Sequence, residues 1–258
     1  MKNLKILFFL IGFLAICDAK SLILIIASND HPVYTIHEEC WKKYMNSSPD
    51  EFECYFIKED KNLDCEAKIE GNNLWIKNEM SYIPGILEKT IYAFKFFENK
   101  LNEYEYIIRT NLSSFYYFPA LKAFLDSLPK KNLYAGCINT HLYPVFPHYV
   151  SGAGIYMSPD VCRLISQKFD EILNLKYKEV DDVIIGKFLN MQGIYPTSTS
   201  RFDIEKPQQL NEFKRLTKEK KHLQIFHVRT KCHKESQRLT WESYITKFLY
   251  KRFYINTD

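Results

Sequence analysis

The sequence YVSGAGIYMSPDVCRLI at residues 149–165 decides the predicted fold. The chain has only eight glycines, and two of them, Gly152 and Gly154, flank a single alanine here. Glycine allows a backbone to turn tightly or to approach a ligand closely. The segment therefore predicts a small-residue turn that leads into a helix, with Ser158 as N-cap and Pro159 at the first helical position.

The stretch continues after this helix as VDDVIIGKFLNMQGI, residues 180–194. Its apolar residues recur at helical spacing, so a second helix is predicted. Asp181 and Asp182 stand in the first turn of that helix, where the helix dipole favours carboxylates. Capping alone would explain such a pair. The glycine-rich segment upstream favours a role in a ligand site.

Together, the SGAGIYMS segment, the DDVIIG helix start and the QGI ending resemble the β-1,3-galactosyltransferase and Fringe-type glycosyltransferases. The resemblance extends from about Leu22 to Arg229 and is strongest at residues 149–194. It implies a single α/β domain of the GT-A type, with a Rossmann-type, mostly parallel sheet flanked by helices. It also implies an inverting enzyme that transfers a hexose from a nucleotide sugar, with a UDP-sugar as the expected donor, to a glycan or glycoprotein acceptor.

The resemblance also assigns roles to residues of the two motifs. Asp182 matches the second acidic position of the family motif, which makes it the candidate base that takes the proton from the acceptor hydroxyl. Asp181 is its catalytic neighbour and would hold a loop or the acceptor. The acceptor is expected over the small-residue turn, whose members are Ser151, Gly152, Ala153 and Gly154.

Predicted strands upstream and downstream of the motifs end in polar residues. Residues 22–27 and 106–108 are apolar, as in buried central strands, and α/β sheets bind ligands where such strands end. A late strand is predicted at 223–228; its histidine resembles a family position that contacts metal or diphosphate, although a lone strand histidine usually belongs to the core. The candidate nucleotide-sugar-binding residues are Ser28, Asn29, Asp30, Arg109, Asn111, Ser113 and His227.

The segment after the central strand departs from the family pattern. The family places aspartates there that hold a divalent metal against the diphosphate, whereas this chain has Asn111, Leu112 and Ser113. The enzyme would then be metal-independent, with Arg109 or another cation in place of the metal. Alternatively, the chain is an inactive, secreted sugar-binding relative, or the segment is a capped loop in which Asn111 is a cryptic sequon. No metal ligand is predicted, although Mn²⁺ is compatible with the resemblance.

Length and composition agree with one globular domain. The chain has 258 residues, 46% of them hydrophobic, and a net charge of +4. This charge is mild and no basic face interleaved with aromatic residues stands out, so no nucleic-acid partner is predicted. The absence of a G-x-S-x-G turn, a P-loop and a full dinucleotide fingerprint argues against hydrolase and dinucleotide-dependent classes.

Residues 1–19 have the composition of a signal peptide or short signal anchor. Lys2 and Lys5 precede an apolar run at 6–16, which is short for a membrane span of about 20 residues. Residues 21–258 would then form the glycosyltransferase-like domain in the secretory pathway lumen (ER or Golgi) or outside the cell, with membrane anchoring if the segment is retained. Six cysteines follow, which permits disulfides, and Asn46 begins a glycosylation sequon.

Hydrophobic spacing also predicts the other elements. Helices are predicted at 32–44, 84–101, 118–128, 159–175 and 234–258, with another following a polar lid within 197–221. Further strands are predicted at 52–58, 74–76, 133–138 and 191–196, with a loop at 60–73 and an ordered aromatic loop beside the site at 141–148.

Overall fold

The computed structural model describes residues 19–79, 81–139, 149–174 and 179–256. The predicted signal segment, apart from its last residue, and the predicted aromatic loop at 141–148 lie outside these ranges. Within them, no helix combines the length and the apolar composition needed to cross a membrane. The six cysteines from Cys40 to Cys232 are free thiols, so the expectation of disulfides is not confirmed.

The described strands are β1 (Lys20–Ile26), β2 (Phe52–Glu59), β3 (Ala67–Glu70), β4 (Asn73–Ile76), β5 (Tyr104–Asn111), β6 (Ser114–Tyr116), β7 (Tyr134–Asn139), β8 (Tyr149–Met157), β9 (Thr197–Ser198), β10 (Phe202–Ile204) and β11 (His227–Thr230). The helices are α1 (Pro32–Tyr44), α2 (Gly85–Phe97), α3 (Phe118–Asp126), α4 (Pro159–Gln167), α5 (Phe169–Leu173), α6 (Asp181–Met191), α7 (Pro207–Lys218) and α8 (Glu235–Tyr250). Short 3-10 turns cover Glu98–Glu103 and Lys221–Gln224, and a π-helical turn covers Lys251–Ile255.

Eight strands form the main sheet in the order β3-β4-β2-β1-β5-β8-β7-β9. β1 pairs in parallel with both β2 and β5, and the β2–β4 and β7–β9 pairs are also parallel. The β3–β4, β5–β8 and β7–β8 pairs are antiparallel. The predicted fold class, a single α/β domain with a mostly parallel sheet, is confirmed.

The central strand β1 is buried on both faces. Ile23 and Ile25 belong to a core that includes residues of α1, α3 and α8. Leu22 and Leu24 belong to a second core that includes residues of α2, α4 and α6. Helices therefore cover both sides of the sheet, which explains why β1 is apolar at successive positions instead of alternating.

A second sheet brings β11 next to the end of β5. Its three strands have the order β10-β11-β6, and β6 begins three residues after β5 ends. β11 runs antiparallel to β6 with Arg229 opposite Ser114. The backbone N–H of Thr230 donates to the carbonyl oxygen of Ser113 at 2.9 Å. The carboxyl end of β11 is thereby held at the loop that follows β5.

The structure corrects the predicted turn at Gly152–Gly154. These residues lie inside β8, which pairs with β5 on one side and β7 on the other. Gly154 pairs with Thr110 of β5, whereas the pairing with β7 is irregular between Val150 and Ile155. The glycines therefore belong to an irregular part of a strand and not to the predicted turn. Their actual role is close packing, and it follows from the site described below.

Other boundaries were predicted less well. The strand predicted at 191–196 is wrong, because α6 continues to Met191 and β9 begins only at Thr197. The predicted loop at 60–73 contains β3. The helix predicted from residue 159 breaks at Lys168 between α4 and α5, and the late strand begins at His227 because residues 221–224 form a 3-10 turn. α1 has its predicted bounds.

Candidate active site

A cleft opens where the strand order of the main sheet reverses. From β1 the chain proceeds to β2 and β4 on one side and then returns to β5 on the other. The carboxyl ends of strands diverge at such a point, and α/β sheets bind ligands there. The cleft has a volume of about 700 Å³. The predicted site residues that line it are Ser28, Asp30, Arg109, Asn111, Ser113, Ser151, Gly152, Ala153, Asp181 and Asp182.

Arg109 ties three elements together at the floor of this cleft. Its side chain is 3% exposed, and its guanidinium donates to the carbonyl oxygen of Gly152 in β8 and to the carboxylate of Asp181 at the start of α6. The Asp181 side chain is 11% exposed, so both charges are largely removed from water. Such a pair is retained only when its partners compensate for the lost hydration. The guanidinium therefore serves as an internal clamp.

Asp182 lies beside this clamp and is held by backbone donors. Its Oδ2 accepts the Gly152 N–H and its Oδ1 accepts the Val183 N–H, each at 2.9 Å. Burial, followed by the negative charge of Asp181, raises the pKa of Asp182 to about 6. Each carboxylate oxygen has more than one lone pair, so further acceptor capacity is present. At neutral pH this carboxylate is ionised yet more basic than an ordinary aspartate, which suits a general base.

The two glycines of β8 make room for side chains of other strands. A Cβ on Gly152 would stand 2.6 Å from Nη1 of Arg109. A Cβ on Gly154 would stand 2.5 Å from Cε1 of His227 and 2.9 Å from the hydroxyl oxygen of Tyr116. Real Cβ atoms do not approach other atoms so closely. The S-G-A-G pattern therefore signals side chains packed across a strand.

The polar segment after β5 is partly used to hold itself in place. Asn111 Oδ1 accepts the hydroxyls of Ser113 at 2.9 Å and Ser114 at 3.2 Å. The hydroxyls of Ser114 and Thr110 both donate to the carbonyl oxygen of Ala153, each at 2.7 Å. Some of the polar side chains in and after β5 therefore link β5 to β8.

The segment after β1 contributes to two adjoining cavities. The Ser28 hydroxyl donates to Asp30 Oδ1 at 2.7 Å, and both residues line the main cleft. Asn29 lines a neighbouring cavity of about 580 Å³, together with Lys58 and Trp75. Ser28 lines both cavities, as does Glu59 at the end of β2, so the two spaces meet at the ends of β1 and β2.

His227 and Gly154 are not among the residues that line the cleft. His227 shares a hydrogen bond of 3.0 Å between its Nδ1 and the Tyr156 hydroxyl, and its ring stacks on Tyr116 at 4.4 Å. Burial lowers the pKa of His227 well below its ordinary value. The imidazole is therefore neutral and packed in the interior behind β8.

The structure adds charged residues that the sequence did not single out. Lys89 of α2 is 2% exposed, donates to the Ala27 carbonyl oxygen at 2.8 Å and pairs with Glu59 on the cleft wall. Burial lowers the pKa of Lys89. Arg229 and Lys231 reach the cleft from the end of β11. Arg229 had a sequence signal, since it follows His227 by two residues on one strand, whereas Lys89 is hidden in an apolar helix pattern.

The residues of the cleft do not fit the metal that the family resemblance implies. A divalent cation such as Mg²⁺ or Ca²⁺ is held by several hard oxygen ligands, with carboxylates foremost. Asn111 and Ser113 supply an amide and a hydroxyl where the family has aspartates, and Asp181 is engaged by Arg109. Among the described residues, no three His, Cys, Asp or Glu side chains gather in a way that could hold a metal ion.

Comparison with known proteins identifies solved structures that have a similar fold. No protein-family model matches the chain, and no curated protein matches its sequence. Solved structures do match, among them a glycosyltransferase involved in the glycosylation of the major capsid of PBCV-1. The TM-score is 0.53 at 9% sequence identity, and the similarity covers 89% of this chain and 99% of that chain.

This similarity defines the class of fold: the chain is an α/β domain with a GT-A-like architecture similar to that of the solved glycosyltransferase. At so low an identity it shows the fold alone. The narrower relation to the β-1,3-galactosyltransferase and Fringe-type enzymes remains a prediction from the motifs at 149–194.

Proposed function

We propose that this protein is an inverting glycosyltransferase that transfers a hexose from a nucleotide sugar, with a UDP-sugar as the expected donor, to a glycan or glycoprotein acceptor. One observation carries the proposal. Asp182, a carboxylate whose pKa is raised to about 6, lines a cleft at the strand-order reversal of a GT-A-like sheet. A carboxylate in a cleft whose pKa is perturbed by burial and by a specific neighbouring charge is a candidate functional group.

The two adjoining cavities suit the two parts of a nucleotide sugar. The smaller one is lined by the Trp75 side chain and by the polar groups of Asn29 and Asn62. These groups can stack on and hydrogen-bond a nucleobase and ribose. The diphosphate and the sugar would then extend past Ser28 into the main cleft, toward Asp182.

The acceptor would lie along β8. Its hydroxyl oxygen attacks the anomeric carbon from the face opposite the diphosphate, and the carbon–oxygen bond to the diphosphate breaks. The acceptor proton passes to the Asp182 carboxylate. Asp181 assists without touching the proton, because its fixed negative charge helps to keep the pKa of Asp182 high. Arg109 holds Asp181 in that position.

Release of nucleoside diphosphate from a panel of UDP- and GDP-hexoses, in EDTA and in Mn²⁺, tests this proposal. We expect turnover with at least one donor, and we expect Asp182→Asn to reduce it by about 10²- to 10⁴-fold while the fold and donor binding persist. Asp170→Asn, on the exposed surface of α5, is the matched control and should retain full activity.

Two results would contradict the proposal. Binding of a nucleotide sugar without any release would identify a sugar-binding protein on the same fold. Wild-type turnover by Asp182→Asn would remove this residue from the reaction.

A further inference from the structure

The basic residues of the cleft fall into two groups. Four already have partners: Lys89 pairs with Glu59, Arg109 with Asp181, Arg238 with Glu242 and His233 with Glu205. The other two are Arg229 and Lys231, at the end of β11. Neither side chain forms an ion pair or a hydrogen bond with any residue in the described part of the chain.

Of the two residues, Arg229 gives the stronger evidence for an anionic ligand, because part of its guanidinium is buried. Its Nε has no partner among the described residues although it is closed off from solvent. Burial and the neighbouring Arg201 lower the pKa of Arg229, and the opposing charges of Asp203, Glu205 and Asp182 do not fully offset them. Buried polar groups are normally hydrogen-bonded, and an unpaired one lowers stability. A cation kept under these conditions at a cleft wall is suited to an anionic ligand.

The position of this pair matches the place where the metal carboxylates are missing. Arg229 stands opposite Ser114, and the backbone of Thr230 is bonded to Ser113. Both cations therefore border the segment 111–113, which has no carboxylate. Arg109 is nearer in sequence, but its guanidinium is already engaged by Asp181 and Gly152.

We propose that Arg229 and Lys231 bind the diphosphate of the nucleotide sugar and take the place of a divalent metal. This inference rests on the proposed function. When the bond between the anomeric carbon and the diphosphate oxygen breaks, the electron pair remains on that oxygen. The guanidinium and the ammonium stabilise the added charge by charge-assisted hydrogen bonds. The proton moves separately, from the acceptor to Asp182, so no further reactant is required.

The test measures binding of UDP and, in parallel, GDP by calorimetry in EDTA, and binding of uridine and guanosine by NMR. The wild-type protein should bind a nucleoside diphosphate equally well in EDTA and in Mn²⁺. The double variant Arg229→Gln/Lys231→Gln should bind it about 10- to 100-fold more weakly, while its affinity for the nucleoside is unchanged. Lys247→Gln, an exposed site on α8, removes a like charge and should bind normally.

The same variants separate a ligand role from a structural one. Because the Arg229 side chain forms no hydrogen bond or ion pair with a described residue, Arg229→Gln should have an unchanged or higher Tm, whereas loss of a structural residue would lower the Tm. Arg229→Lys should restore part of the affinity for the diphosphate.

Two outcomes overturn the inference alone. One is binding that EDTA weakens tenfold or more and Mn²⁺ restores, and the other is wild-type affinity in the double variant. If the wild-type protein binds neither UDP nor GDP in either condition, the proposed function fails together with the inference.

Discussion

Arg109 and Arg229 are two guanidinium groups in one cleft whose surroundings differ. Arg109 donates to a carboxylate and to a carbonyl oxygen, and it joins β5, β8 and α6. Both arginines have a buried Nε with no partner among the described residues, but the guanidinium of Arg229, on β11, also forms no ion pair or other hydrogen bond with any of those residues. Neither residue is explained by its charge alone. The contacts of Arg109 are consistent with a structural role in the site. The surroundings of Arg229 are consistent with binding of an anion.

The two arginines differ in which groups compensate for the hydration that each guanidinium loses on burial. For Arg109 the protein itself compensates for lost hydration, so removing the side chain leaves Asp181 buried and uncompensated. For Arg229 no described residue compensates through a hydrogen bond or an ion pair, although the charges of Asp203, Glu205 and Asp182 favour its protonated form. Removing its side chain therefore breaks no hydrogen bond or ion pair within the described part of the chain. Stability measurements can therefore distinguish the two arginines even before any ligand is known.

The largest effect is expected at Arg109. We predict that Arg109→Met lowers the free energy of unfolding by about 3–5 kcal/mol, because one partner of a buried ion pair is lost. Urea unfolding monitored by circular dichroism measures the change. Arg229→Met is the matched control, and we expect it to stay within about 0.5 kcal/mol of wild type or to be more stable. Equal losses in both variants would break the comparison.

A smaller effect is expected at Gly152, which accommodates the Arg109 side chain. Gly152→Ala would place its Cβ 2.6 Å from Nη1 of Arg109. We predict a loss of about 1–3 kcal/mol from overpacking. If Arg109 is the cause, the loss should shrink in the double variant with Arg109→Met, because neighbouring substitutions of this kind are not additive. An undiminished loss in that background would show that the glycine has another role.

The sequence predicted many of the helices and strands because hydrophobic spacing is a local property, whereas the layered architecture was implied by the family resemblance. The apolar run of β1 and the amphipathic pattern of α1 were sufficient to place both elements. The motif around Asp182 also identified the start of α6 and one wall of the cleft. These signals do not depend on which residues become neighbours in space.

The remaining errors arose where contacts between residues distant in sequence determine the role of a residue. Glycine suits either a tight turn or a close approach, and only the packing of Arg109 and His227 against β8 shows which applies. His227 attracted attention as a titratable side chain, yet it is buried, whereas Arg229 on the same strand reaches the cleft. No local pattern distinguishes a cation that has a partner from one that does not.

The pH dependence of kcat/KM for glycosyl transfer tests the central claim most directly. A base must be deprotonated to accept the acceptor proton, so activity should rise with pH through the pKa of Asp182, about 6, and level off above it. In Asp182→Asn the residual activity should lack this acid limb. Wild-type activity that is constant from about pH 5 to pH 8, or an acid limb that persists unchanged in Asp182→Asn, would contradict the assignment of Asp182 as the base.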